Sequence, residues 1–568
     1  MNDAAEQLAE GFAQHVARWA QRRGCDTATI QALRRAAAEV GLATSEGHVC
    51  VSVDAAMRPR LLSSGLVGTP DAPGALPLVL DGDDRLYLHR YFDDERRLAR
   101  RLTRAARAPG TPEASAAIAV LDALFAANEP RLAGAIDQQK HAALLALKNR
   151  LVIISGGPGT GKTSAVVNLL AGLLTQQPAI RIALAAPTGK ARARLLEAVR
   201  LRAALIPEEI RARLPDEAST IHRLLGARPD GSFAHHAGNQ LAIDALIVDE
   251  ASMLDLALAA RLFEAVPDHA HVILLGDKDQ LASVESGAVF AEISSREGAL
   301  EGSVVWFRDN FRFAADSGPG RLAADISGAR AEAVQAWLRG GEEASVKWFD
   351  DEGRVLTPAA VEYLVAGFAR YFDTVRQNVF DRASIITAFD AFRVLCAVRD
   401  GARGVDRINE LLDAHARESL ESLAGRYEGD SRSRWYAGRP VLVARNDYVL
   451  NLMNGDVGVA LPDESGSLKV YFADTTGGFR AIAPTRIPPH DTAYATTVHK
   501  AQGSEFDEVM LILPDRPSQV VTRELLYTAV TRARQRVTLC AGEAVIRAAI
   551  DSPTRRFSGL RARLESPE

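Results

Sequence analysis

Cysteine is scarce and scattered. The 568 residues hold four, Cys25, Cys50, Cys396 and Cys540, with no CxxC pair and no histidine at ligand spacing. That argues against a disulfide framework and against a zinc module, and leaves buried thiols as the expectation. No apolar run is long enough to span a bilayer and no N-terminal stretch has the pattern of a signal peptide, so the chain reads as cytoplasmic. Positive charge has no surplus either: 67 Lys and Arg against 72 Asp and Glu give a net charge of −5. A broad basic coat is excluded, while a local positive groove is not. What remains is ordinary globular material, 47% hydrophobic and 24% charged, in a chain too long for one core and sized for about three or four domains.

The chain is organised around residues 151–163, LVIISGGPGTGKT. Leu151–Ile154 are branched and apolar without alternation, which suits a strand buried on both faces of a parallel sheet. Gly156, Gly157, Pro158, Gly159, Thr160 and Gly161 then form a loop whose backbone N–H groups can turn toward an anion. The helical spacing of SAVVNLLAGLL puts a helix N-terminus at Lys162, where the β- and γ-phosphates of a nucleotide need cationic partners. Thr163 offers a hydroxyl to Mg²⁺. Such loops serve kinases, GTPases, transporters and motors alike, so other stretches must name the reaction.

Residues 1–108 read as a mostly helical unit closed by the breaker-rich APGTPE at 108–113. Its last helix carries Arg96, Arg97, Arg100, Arg101, Arg104 and Arg107 at spacings of three and four, a basic stripe suited to a nucleic acid, to an acidic partner or to plain solvent. Upstream of the glycine loop, the amide of Gln139 could donate and accept side by side, matching N6 and N7 of adenine; an ordinary surface glutamine is the alternative. A second strand, loop and helix follow at residues 181–195. Residues 244–250, DALIVDE, read as a strand ending in paired carboxylates, with Asp249 suited to Mg²⁺ and Glu250 to orienting the attacking water. Gln280 follows the strand His271–Leu275, at the end where such sheets place ligand contacts. Further apolar runs at 384–388, 440–444, 508–513 and 536–540 read as strands of a second set. Between them, residues 446–490 break the rhythm with short strands and the turn signals Asn454-Gly455 and Ser465-Gly466.

Eight stretches in order carry a resemblance: GGPGTGKT, APTGKARARL at 186–195, STIHRLLG at 219–226, VDEASMLD at 248–255, GDKDQLASVESGAVF at 276–290, NFRF at 310–313, ATTVHKAQGSEFDEV at 495–509 and LLYTAVTRAR at 525–534. Together they resemble the helicase motifs of superfamily 1, and within it the RecD family, the α subunits of exodeoxyribonuclease V (the RecBCD complex). Even the N-terminal unit, with EGHVC at 46–50 and RLYLHRYFDDE at 85–95, is similar to the corresponding RecD domain.

The resemblance implies an α/β fold of two RecA-like P-loop NTPase lobes with parallel sheets, a mostly helical N-terminal domain and a small SH3-like β insertion in the second lobe. The implied boundaries are 1–108 for the N-terminal, partner-contacting domain, 109–335 for the first lobe, 336–445 and 491–568 for the second, and 446–490 for the insertion. ATP would lie in the cleft and single-stranded DNA across the top. Lys162 and Thr163 would take phosphates and Mg²⁺, Asp249 the Mg²⁺, Glu250 the water, and Gln280 would sense the γ-phosphate. Arg312 and Arg532 match arginine fingers, Phe311 an adenine-stacking ring and Glu505 an acid near the ribose. Thr188, Thr220, His222, Thr497 and His499 match the loops that grip DNA.

The implied activity is an ATP-dependent 5′→3′ DNA helicase acting on the single-stranded tail of a duplex end. RecB-like and RecC-like subunits would be its partners, with the nuclease site in one of them; a free-standing RecD-like helicase is the alternative. Residues 462–469, PDESGSLK, have a proline-acid pair and a lysine that invite a nuclease reading, but Ser465-Gly466 makes them a turn and no second acid is visible to hold a metal pair.

Overall fold

In the computed structural model, which describes residues 2–110, 112–128, 130, 135–308, 317–341, 343–423, 434–447, 449–474 and 477–566, the N-terminal unit begins with two helices, Asn2–Arg22 and Thr27–Ser45. Apolar residues at helical spacing (Ala13, Val16 and Ala20; Leu33, Ala36, Ala37 and Val40) are all fully buried in their shared core. A small mixed sheet follows, in the order β1 (Cys50–Ser52), β4 (Arg85–Leu88), β3 (Leu78–Leu80), β2 (Val67–Gly68), which the helical reading does not include.

The arginine-rich helix His89–Arg107 turns Arg96, Arg97 and Arg101 of its stripe inward and leaves Arg100, Arg104 and Arg107 exposed. It packs on the first-lobe helix Leu256–Ala265. Arg97 Nη1 meets Glu264 Oε1 at 2.6 Å, Arg101 donates to the carbonyls of Phe263 (2.9 Å) and Val266 (2.6 Å), and Arg104 meets Asp268 at 3.1 Å. Arg96 pairs with Asp93 on its own helix at 2.8 Å. The carbonyls Arg101 caps are the last ones of a helix, where a cation is favoured by the macrodipole.

The first lobe is a six-stranded, all-parallel sheet in the order β10 (Val304–Phe307), β5 (Leu151–Gly156), β9 (His271–Gly276), β8 (Ala245–Val248), β6 (Ile182–Ala186), β7 (Ser219–Thr220). Alternate residues of the central strands enter separate cores: Leu151, Ile153, Leu246 and Val248 on one face, Val152, Ile154, Ala245 and Ile247 on the other. Both faces are therefore covered, and this is why those strands carry no polar alternation. Parallel pairing also brings the C-terminal ends of β5, β6, β7, β8 and β9 to one edge.

A second parallel sheet, in the order β11 (Val346–Phe349), β20 (Ala533–Cys540), β19 (Phe506–Ile512), β12 (Phe392–Cys396), β18 (Ala495–Thr497), builds the second lobe. Two expected strands fall elsewhere. Residues 384–388 lie inside the helix Arg382–Asp390, started by Asp381, whose carboxylate accepts from the Ser384 amide at 3.1 Å; the strand is the next run, β12. Residues 440–444 overlap β13 (Arg439–Val443), which belongs to a separate antiparallel sheet in the order β16 (Phe479–Ile482), β15 (Leu468–Ala473), β14 (Val457–Pro462), β13, β17 (His490–Thr492). That sheet runs from Arg439 to Thr492, wider than the rhythm break at 446–490. Its turns use the foreseen glycines, Gly455 at φ +92° and Gly466 at φ +84°. Asp463 closes the 462–469 turn, its Oδ1 accepting from the amides of Ser465 (2.9 Å) and Ser467 (3.1 Å). The three deeply buried cysteines, Cys50, Cys396 and Cys540, are free thiols; Cys25 is half-buried. Among the described residues no helix is long and apolar enough to cross a membrane.

Candidate nucleotide and DNA site

The glycine loop turns at the C-terminal end of β5. Gly161 stands at φ +76°, immediately before the helix Lys162–Gln176. At Gly156 an added Cβ would lie 2.7 Å from Thr160 Oγ1 and 2.8 Å from Phe307 Cβ, so the loop's curvature needs glycine there. Lys162 Nζ donates to Gly157 O at 3.1 Å and to Gly156 O. Gln139 is buried, with Nε2 donating to Thr160 O at 2.9 Å, which ties the helix Gln138–Lys148 to the loop.

Two strands over, Asp249 and Glu250 follow β8. Thr163 Oγ1 donates to Asp249 Oδ2 at 3.2 Å, and Asp249 Oδ1 accepts the Glu250 amide at 2.9 Å. Burial, with Glu250 beside it, pushes the Asp249 carboxyl up to about 6, against the pull of Lys162 and Arg194. Glu250 itself sits at φ +54°, ψ +38°, a left-handed conformation that a side chain occupies at a cost of about 1–3 kcal/mol and that recurs at functional sites. After β9, Gln280 Nε2 donates to Asp277 Oδ2 at 3.1 Å.

The second lobe closes over these groups. Tyr527 Oη donates to the same Asp277 Oδ2 at 3.0 Å, and an added Cβ on Gly157 would come within 2.9 Å of that hydroxyl. Glu505 and Arg532 stand immediately before β19 and β20. Arg532 is buried, donating through Nε to Thr528 O at 3.1 Å; desolvation lowers its pKa, with Glu250 and Glu505 acting the other way. A cavity of about 280 Å³ is enclosed by Gly157, Pro158, Gly159, Gly161, Lys162, Thr163, Asp249, Glu250 and Gln280 from the first lobe and Glu505 and Arg532 from the second. Arg194, Arg202 and Ser164 line it too and were not singled out in the sequence. Arg194 lies on the helix after β6, whose direction back toward the glycine loop is a property of the folded sheet.

The five expected DNA-contacting residues occupy three loops. Thr188, after β6, caps the helix Gly189–Ala203 by accepting the Ala191 amide at 3.2 Å. Thr220, ending β7, accepts the Arg223 amide at 3.3 Å, and the His222 ring lies 6.0 Å from that of Phe233. Thr497, ending β18, accepts the Lys500 amide at 3.3 Å; His499 is half-buried, its pKa lowered by burial and by Arg556. A Cβ added to Gly503 would lie 3.6 Å from Thr188 Oγ1, so the first- and second-lobe loops adjoin. Phe311 and Arg312 lie outside the described residues.

Two parallel sheets meeting across a P-loop cavity, one supplying the glycine loop and paired carboxylates and the other an arginine, define a two-lobed P-loop NTPase. An AAA domain model matches residues 139–286 and a UvrD-like helicase C-terminal domain model residues 492–540. The RecBCD enzyme subunit RecD of Mycobacterium tuberculosis is 41% identical over 512 residues, covering 87% of this chain and 83% of that protein. The Haemophilus influenzae subunit of the same name is 34% identical, covering 76% and 72%. An ATP-dependent RecD2 DNA helicase of Deinococcus radiodurans is 32% identical over 68% of this chain and 46% of its own length. The chain belongs to the RecD family.

Proposed function

We propose that this chain is an ATP-driven 5′→3′ DNA helicase, the RecD subunit of an exodeoxyribonuclease V complex in the cytoplasm. It acts on the single-stranded tail of a duplex end beside RecB-like and RecC-like subunits, with the nuclease site in a partner. The observation that carries the reading is the cavity in which the P-loop, Asp249, Glu250 and Gln280 face Glu505 and Arg532 of the other lobe. We also assign the chain as an N-terminal domain, 1–108, a first lobe, 109–335, and a second lobe, 336–438 and 493–568, carrying the antiparallel insertion, 439–492.

The chemistry follows from which groups face the cavity. Loop amides and the Lys162 ammonium suit the phosphates of ATP. The hard oxygens of Thr163 and Asp249, already 3.2 Å apart, suit Mg²⁺, which when bound offsets phosphate charge. Glu250 accepts a proton of the attacking water and aims its lone pair. Arg532 meets charge developing on the transferred phosphoryl group, the kind of contribution that as a class is worth about 10³-fold or more. Since Arg532 comes from the second lobe, hydrolysis requires closure; product release relaxes it. Thr188 and Thr220 on one lobe and Thr497 and His499 on the other offer hydroxyl, ring and backbone donors to sugar and phosphate, a grip indifferent to sequence. Alternating closure then moves the strand.

ATP hydrolysis by the purified chain, with and without single-stranded DNA, tests this reading. Stimulation by DNA that disappears in Lys162→Gln supports the motor assignment, a weak response that rises when the partner subunits are added supports the subunit assignment, and hydrolysis indifferent to both DNA and Lys162 removes the motor. Strong stimulation without any partner subunit would favour a free-standing helicase, the reading that the resemblance to RecD2 keeps in view.

A further inference from the structure

From Thr554 to Arg563 the chain touches all three units in turn. Thr554 still belongs to the second lobe, its amide and hydroxyl donating to Glu524 Oε2 at 2.7 and 2.6 Å. Arg556 reaches the first lobe: Nη2 donates to Ser283 O at 2.6 Å, and Nη1 to Gly287 O at 3.0 Å and to Glu285 O. Phe557 pairs with the N-terminal unit, its amide donating to His48 Nδ1 at 2.9 Å and its carbonyl accepting the Val49 amide at 2.8 Å. Ser558 Oγ, the Gly559 amide and Arg563 Nε then converge on the fully buried carboxylate of Glu95 at 2.9, 3.0 and 2.8 Å.

The segment Arg556 holds is the continuation of Gln280. Just after Gln280, the Leu281 amide donates to Thr528 Oγ1 and its carbonyl accepts from Gln502 Nε2, both at 2.8 Å and both from the second lobe. At the far end, the Gly287 amide donates to Gly47 O at 3.0 Å and Ser286 Oγ to Thr44 O at 3.2 Å. The guanidinium lies against Gly47, at φ +89°, where an added Cβ would come within 2.8 Å of Cζ. All three hydrogen-bond acceptors of Arg556 are main-chain carbonyls, and a planar fork of donors suits several carbonyls on one short loop better than an ammonium does.

We propose that Arg556 is a positioning residue for ATP hydrolysis, locking the 281–287 loop behind Gln280 to the tail of the second lobe and, beside Gly47, to the N-terminal unit. Through it, closure of the cleft and the seating of the N-terminal unit are coupled. When the lobes separate, Thr554 travels with the second lobe while Ser283 and Gly287 stay with the first, so the Arg556 contacts differ in strength between the two states. That difference is a coupling free energy, felt equally at the nucleotide and at the N-terminal unit. The inference rests on the motor reading above.

The test compares parent, Arg556→Ala and Arg556→Lys as full chains assembled with their partner subunits, any partner motor being disabled. It reads kcat and KM for ATP at saturating single-stranded DNA, together with amide hydrogen exchange over residues 281–287. Arg556→Ala should leave KM within about twofold, lower kcat by about tenfold, as loss of one charge-assisted contact in the reacting state would, and speed exchange over 281–287. Arg556→Lys, which keeps the charge and loses the fork, should fall between. Parental kcat in Arg556→Ala alongside faster exchange would overturn the proposal, since a freed loop would then not matter to hydrolysis. Should Arg556→Ala not assemble, Arg556→Lys decides by the same two readouts. A parent chain without ATPase activity would instead remove the motor reading.

Discussion

Arg194 of the first lobe and Glu505 of the second form an ion pair at 2.6 Å across the mouth of the phosphate cavity, and Arg194 also donates to Gly503 O at 3.1 Å. The Glu505 side chain is only 8% exposed, so the pair is shielded enough to latch the closed cleft. A double-mutant cycle with Arg194→Gln and Glu505→Gln should give a coupling of about 1–2 kcal/mol in kcat/KM for ATP. Strictly additive effects would mean that the pair plays no part in closure.

Lys162→Gln removes the ammonium that donates to Gly156 O and Gly157 O and little buried apolar area. Hydrolysis should fall by about 10³-fold or more while the thermal midpoint moves by only a few degrees. Parental turnover in this variant would sink the assignment of the loop as a phosphate site.

Glu250 separates stability from function. Glu250→Gln should bind ATP and hold it unhydrolysed, because shape is kept and the proton acceptor is lost. Glu250→Gly should be equally inactive yet no less stable, and by up to about 1 kcal/mol more so, because φ +54° suits glycine. A clear loss of stability in Glu250→Gly would show that the side chain holds the fold.

Glu292, on the helix Val289–Ile293, is raised to about 8 by burial and by Glu95, although Ser558 and the Arg561 backbone pull the other way. The folded chain therefore keeps a proton that the unfolded chain releases above its ordinary carboxylate range. That contribution to stability is complete below the unfolded value and is lost as pH rises through about 8. Thermal midpoints of the parent should decline between pH 6 and pH 9 more steeply than those of Glu292→Gln. Parallel curves would place Glu292 in a solvated setting.

Much of this was legible because it is local. Residues 151–163 contain their own strand, turn glycines and helix start, and the strand before Asp249 announces its burial by its composition. The first-lobe contacts of Arg97, Arg101 and Arg104 were not legible, because their partners Glu264, Phe263, Val266 and Asp268 are more than 150 residues away in sequence. Residues 384–388 are apolar enough for strand or helix, and the Asp381 cap together with the competing run at 392–396 decided between them. Arg439–Val443 reads like a parallel core strand because its residues are all buried; only pairing with β14 and β17 reveals the other sheet. The reach of Arg556 across three units has no sequence signature at all.

Direction of movement tests the central claim most directly. Duplexes with only a 5′ or only a 3′ single-stranded tail are offered to the assembled complex, with any opposite-polarity partner motor disabled by its own P-loop lysine substitution. Unwinding should require ATP, be confined to the 5′-tailed duplex and vanish in Lys162→Gln; unwinding confined to the 3′-tailed duplex, or persisting without Lys162, would contradict the assignment of this chain as the 5′→3′ motor.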